Sequence, residues 1–115
     1  MMAGDWIDIG AVTDIPLRGA RTLTIAGGDD IGIFRTGDDR VFALVNRCPH
    51  KHGPLSQGIV HGHAVSCPLH NWRISLATGE AMGEDKGCVP TVPVEVKDGR
   101  VLISRSAVAT VARAA

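Results

Sequence analysis

The chain has no excess of either charge: twelve Lys and Arg face twelve Asp and Glu in 115 residues. With no basic stripe and no block of like charge, it offers no footprint for nucleic acid and no charged, disordered tail. It also lacks a long apolar run. Met1-Met2-Ala3-Gly4-Asp5-Trp6 opens with neither a basic patch nor a hydrophobic stretch. Neither a signal peptide nor a membrane span is therefore expected, and the default location is cytoplasmic. There is no G-x-G-x-x-G fingerprint, so binding of a nicotinamide cofactor by that means is not expected. Repeats and linkers are missing as well. Tyrosine is absent, and cysteine is held to three residues: Cys48, Cys67 and Cys88. This length suits one domain over residues 1–115, large enough to bury roughly two-thirds of the surface its unfolded chain would expose.

What is present is concentrated between Asn46 and Trp72. Cys48-Pro49-His50 is followed, after sixteen intervening residues, by Cys67-Pro68-Leu69-His70. Each half supplies one thiol and one imidazole, so Cys48, His50, Cys67 and His70 can hold one metal ion or a small cluster. Two Cys and two His suit a structural zinc site. Zinc fingers, however, usually group their cysteines before their histidines. The other reading is an iron–sulfur centre in which two His replace two Cys on one of two irons. Pro49 and Pro68 push each cysteine toward extended backbone. Gly53, Gly58 and Gly62 allow tight turns and close approach of backbone to a bound group.

Around that stretch, alternating apolar runs and turn signals dominate. Trp6–Ile9, Arg21–Ile25, Ile31–Arg35 and Val41–Val45 read as strands, the last two as a hairpin around Thr36-Gly37-Asp38-Asp39-Arg40. A short strand over 59–66 should deliver Cys67, and Trp72–Leu76 alternates again. Val92–Val96 and Val101–Ser104 flank Lys97-Asp98-Gly99-Arg100, a strong hairpin turn. Short strands at regular spacing predict an all-β sandwich or barrel. The Ala-rich tail from Ala107 should be a frayed helix or disordered. His61 and His63 are placed on one solvated strand face, without a third ligand for a second metal. Cys88 is expected to be a small buried apolar residue.

The ligand order and spacing resemble the Rieske [2Fe-2S] family. The resemblance implies a basal β domain, a smaller cluster-binding β subdomain over about 46–76, and Cys48, His50, Cys67 and His70 as ligands of a Rieske-type [2Fe-2S] cluster. Two thiolates neutralise the oxidised core, so it accepts an electron more readily than a four-thiolate centre. All ligand positions are filled, which implies electron transfer and no catalysis by the chain alone. The edges of His50 and His70 would be the electron exit, within an apolar docking rim of Pro49, Pro54, Leu55, Leu69 and Trp72; Trp72 could equally be a core aromatic. High-potential members bridge their loops with a disulfide. The matching positions here are Gly53 and Leu69, which suits a reducing compartment. Such members also place a serine two residues after the last ligand histidine and a tyrosine further on. Here Trp72 takes the first place and tyrosine is absent, so a low potential is expected, near about −150 mV.

Cys48–Ser56, Gly58–Gly62, Cys67–Trp72, Thr78–Ala81 and Gly87–Val89 together are similar to the small subunit of NAD(P)H-dependent assimilatory nitrite reductase. That likeness implies an electron-transfer subunit of an oxidoreductase, partnered with a large subunit carrying flavin and sirohaem that reduces nitrite to ammonium. Ferredoxins of ring-hydroxylating dioxygenases share size, fold and loops. They imply instead a free shuttle between a ferredoxin reductase and an oxygenase. A third possibility is a non-redox module whose site holds zinc.

Overall fold

A computed structural model describes residues 5–25, 30–48, 53–68, 72–83 and 87–114. Four strands precede the first candidate loop: β1 (Trp6–Ala11), β2 (Gly19–Leu23), β3 (Ile31–Arg35) and β4 (Val41–Val45). β5 (Ile59–His61) and β6 (Ala64–Ser66) lie between the loops, and β7 (Arg73–Ser75) follows the second. β8 (Thr91–Val92), β9 (Val94–Lys97), β10 (Arg100–Ser104) and α1 (Arg105–Ala114) complete the chain. The strands form three antiparallel sheets with orders β1-β10-β9, β2-β3-β4-β8 and β5-β6-β7. This is the expected all-β architecture. Among the described residues, no helix is long and apolar enough to cross a membrane.

The two hairpins expected from turn chemistry form as such. At the β9–β10 turn Asp98 and Gly99 both take positive φ, 52° and 76°, the backbone of a type I′ turn that matches strand twist. At the β3–β4 turn the Thr36 N–H donates to the Arg40 carbonyl at 2.8 Å. The Arg40 N–H returns to Thr36 Oγ1 at 3.1 Å.

Two strands expected as continuous are divided. Pro93 has no N–H to give a ladder, and the chain changes sheets there: β8 pairs with β4, while β9 pairs with β10. The 59–66 segment folds back on itself at Gly62 (φ 58°) into the β5–β6 hairpin, with His61 opposite Ala64. His63 therefore lies in the turn and not on a strand beside His61, which corrects the shared-face reading.

β3 is an interior strand of its sheet, paired on both edges by β2 and β4. Ile31, Gly32, Ile33 and Phe34 are all buried, so both faces are covered. Val101 and Ile103 of β10 join the same core. In the third sheet, Val60, Val65 and Ile74 stand opposite one another across three strands, and all are buried. They belong to the same contiguous apolar cluster, together with Leu55 and Leu76. The tail is helical from Arg105 because its first turn is capped. Asp5 Oδ1 accepts the Ser106 N–H at 3.1 Å, and Ser104 Oγ accepts the Ala107 N–H at 3.2 Å. The Ser106 and Ser104 hydrogen bonds hold the Asp5 carboxyl below its ordinary range.

Candidate metal centre

β4 leads into the first loop and β6 into the second, so each cysteine follows a strand end. Cys48 and Cys67 are each 1% exposed, neither forms a disulfide, and both belong to the one buried cluster. The loops close in the same way. The Cys48 N–H donates to the Gly53 carbonyl at 2.8 Å, and the Cys67 N–H donates to the Trp72 carbonyl at 2.7 Å. Each bond spans five residues, bends the chain back at its cysteine and uses up that cysteine's amide. Two equivalent turns thus present two buried thiols outside any disulfide. A soft metal or an iron–sulfur cluster suits that donor pair, since thiolates buried away from water need a cation to balance them.

His50 and His70 lie outside the described residues, as do His52, Pro49 and Leu69. Of the expected docking rim, Pro54 is exposed and Trp72 is half-buried and packed against the core. Leu55 is fully buried on a 3-10 turn (Leu55–Gln57), which removes it from the rim and makes it part of the platform under the loops. Cys88 also departs from expectation: it is exposed, and the buried neighbour is Val89.

The remaining histidines have other partners. His61 Nε2 lies 2.7 Å from Ser66 Oγ. His63 Nε2 lies 2.9 Å from Asp38 Oδ2, and its ring sits 5.4 Å from that of Phe42, tilted by 53°. The Thr36 hydroxyl, then the His63 ring, hold the Asp38 carboxyl down to about 2, from an ordinary 3.8. This contact joins the β3–β4 turn to the β5–β6 turn. It ties the small sheet to the rest of the protein, while the bond from the Leu76 N–H to the His63 carbonyl at 2.8 Å extends the β6–β7 ladder by one step. Among the described residues, no three His, Cys, Asp or Glu side chains gather as a second metal site.

Sequence reasoning passed over Asn46. Its side-chain carbonyl accepts the Ser56 N–H at 2.7 Å, and its own N–H donates to the Asp30 carbonyl at 2.8 Å. An Asn at the mouth of a loop is the available signal, because its short carboxamide competes for nearby backbone N–H groups.

The sequence matches the Rieske-like [2Fe-2S] domain family over residues 5–104. It is 30% identical over 108 residues to a ferredoxin component of naphthalene 1,2-dioxygenase/salicylate 5-hydroxylase systems from a Ralstonia species; the match covers 89% of this chain and 97% of the relative. In fold it resembles a chain of the complex of reduced oxygenase and oxidized ferredoxin in carbazole 1,9a-dioxygenase. The TM-score there is 0.78, with 26% identity over 87% of this chain and 93% of the other. It likewise resembles a protein assigned as an NADPH nitrite reductase small subunit, with a TM-score of 0.74 and 27% identity over 85% and 96% of the two chains.

Proposed function

This chain belongs to the Rieske-like [2Fe-2S] domain family, and we propose that it is a Rieske ferredoxin that delivers electrons to the oxygenase of a ring-hydroxylating dioxygenase system. Its cofactor is a Rieske-type [2Fe-2S] cluster. When bound, that group takes up and releases one electron at a time. We assign Cys48, His50, Cys67 and His70 as its ligands, within a single domain whose cluster-binding part spans about residues 46–76. The paired loop closures and the two buried thiols support the cysteine half of that assignment. The histidine half rests on the motif.

The chain's own residues would do three things. Cys48 and Cys67 bind. The closures to Gly53 and Trp72 hold the loops in shape, and Val60, Val65, Ile74, Leu55 and Leu76 exclude water from below. Gly53 and Leu69 stand where high-potential Rieske domains carry bridging cysteines, which supports a reducing compartment such as the cytoplasm.

The observation that carries the oxygenase reading is the 30% identity with the ferredoxin component of naphthalene 1,2-dioxygenase/salicylate 5-hydroxylase systems, 97% of whose length is matched. A second reading, the small subunit of an NAD(P)H nitrite reductase with a flavin- and sirohaem-bearing large subunit, draws on the fold likeness at 27% identity. An anaerobic pull-down from the native host, with the visible spectrum of the eluate, separates the two. The proposal expects a small red-brown protein that elutes without a sirohaem chain and supports turnover of an aromatic-ring oxygenase when a ferredoxin reductase is supplied. Co-elution of a large sirohaem- and flavin-containing chain contradicts it.

A further inference from the structure

We propose that Asn46 is a positioning residue for the metal centre: through Ser56, a 3-10 turn and Gly58 it sets the separation between Cys48 and Cys67. The inference rests on the ligand reading above. In a Rieske centre both cysteines bind the same iron, so the distance between their sulfurs is fixed by one ion's coordination sphere. Cys48 and Cys67 leave different strands of different sheets, and something must hold those strand ends in register.

A continuous run of contacts does so. Asn46 lies two residues before Cys48 and is tied to Asp30 by its N–H at 2.8 Å. Its Oδ1 accepts the Ser56 N–H at 2.7 Å, which holds the middle of the Leu55–Gln57 turn against the mouth of the first loop. That turn is rigid: the Gln57 N–H donates to the Pro54 carbonyl at 3.0 Å and the Gly58 N–H to the Leu55 carbonyl at 2.9 Å, above a fully buried Leu55 side chain. Gly58 then meets the other loop's root. A methyl group at Gly58 would lie 2.0 Å from the Ser66 carbonyl oxygen, so only a glycine lets the two backbones approach this closely. Ser66, paired with Ile59, immediately precedes Cys67. One carboxamide, two residues before the first thiol, is therefore linked through the Leu55–Gln57 turn and Gly58 to the residue before the second, without being a ligand itself.

The test compares four variants of the full chain, loaded with iron and sulfide anaerobically. It follows the bleaching of visible absorption under an iron chelator, the shape of that absorption, and the melting of the metal-free chain. Residues that orient metal ligands typically change metal retention by about 10–100-fold when altered. Asn46→Ala should bleach faster by a factor in that range and show an altered absorption envelope. Asn46→Asp keeps an oxygen to accept the Ser56 N–H and should restore both. Gly58→Ala, which acts at the far end of the strut, should reproduce the Asn46→Ala behaviour and serves if that variant does not fold. Wild-type bleaching in Asn46→Ala or in Gly58→Ala overturns the proposal. So does Asn46→Ala bleaching only in proportion to lost metal-free stability, with an unchanged envelope. Cys48→Ser is the control for the underlying reading. If it keeps wild-type iron and colour, the ligand assignment fails; if it loses them while Asn46→Ala does not change, only the strut fails.

Discussion

Leu55 and Ile59 are four residues apart in the same connection, and they should respond oppositely to truncation. Leu55 is fully buried on its 3-10 turn, whereas Ile59 is 69% exposed on β5. Leu55→Ala removes a side chain from the contiguous buried core, where its turn packs against the paired strands β2 and β3, which cannot collapse freely. Such deletions cost about 2–5 kcal/mol, transfer and cavity together. For a 115-residue chain the unfolding entropy near the midpoint is about 240 cal/mol/K, so a loss of about 3 kcal/mol lowers Tm by about 12 °C. Ile59→Ala deletes a similar volume from an exposed face and should stay within about 0.5 kcal/mol of wild type. Urea and thermal melts of the metal-free proteins read both values without interference from the cluster. A Leu55→Ala variant as stable as Ile59→Ala would refute the placement of this turn in the core and return Leu55 to a docking rim.

Further expectations follow from the same geometry. Cys48→Ser and Cys67→Ser should each lose the cluster's visible absorption, while Cys88→Ser stays coloured; in the folded wild type Cys88 should be the thiol that reacts with an alkylating reagent, and protection of Cys88 would contradict its exposure. Asp38 is depressed to about 2 from 3.8, so its contribution to stability is present above pH 3.8 and is lost as pH falls toward 2. Asp38→Asn should therefore flatten the acid-unfolding curve across that window, and an unchanged curve would remove the Asp38–His63 contact from the account. With Trp72 in place of a serine near the last ligand and no tyrosine in the chain, a redox titration should find a midpoint near about −150 mV, and a value near about +300 mV would contradict that reading.

The strands that could be read from the sequence were those with five alternating or continuous apolar positions and a turn signal at the end. β3 and β4 fall at the expected residues because Gly37-Asp38-Asp39 separates them, and β10 because Asp98-Gly99 dictates its turn. The β5–β6 hairpin was hidden because its arms are three residues each, too short for a period to show, and its turn carries only Gly62 as a signal. Pro93 was visible, but whether a proline ends a ladder or sits harmlessly on an edge depends on which strand lies alongside. Leu55 and Cys88 were misplaced for the same reason. Loop residues have no periodicity, so burial there is set by long-range packing: Leu55 turns into the core, and at the Cys88–Val89 step the valine is the residue that turns inward.

For the candidate centre, the motif singled out Cys48 and Cys67, and these are the two cysteines that the structure buries. The supports were not legible. His63 and Asp38 are 25 residues apart, and Asn46 and Ser56 meet only because the first loop returns on itself. The partner was less legible still. The loop residues are similar to both nitrite reductase small subunits and dioxygenase ferredoxins, and the 30% sequence identity with a dioxygenase ferredoxin component shifts the weight toward the second.

We propose that this chain carries its Rieske [2Fe-2S] cluster on Cys48, His50, Cys67 and His70. Metal and acid-labile sulfide analysis of anaerobically purified protein, alongside the Cys67→Ser variant, tests it most directly. Two iron and two sulfide per chain are expected in the wild type and neither in the variant. One zinc per chain with no sulfide, or a variant that keeps its iron, would contradict it.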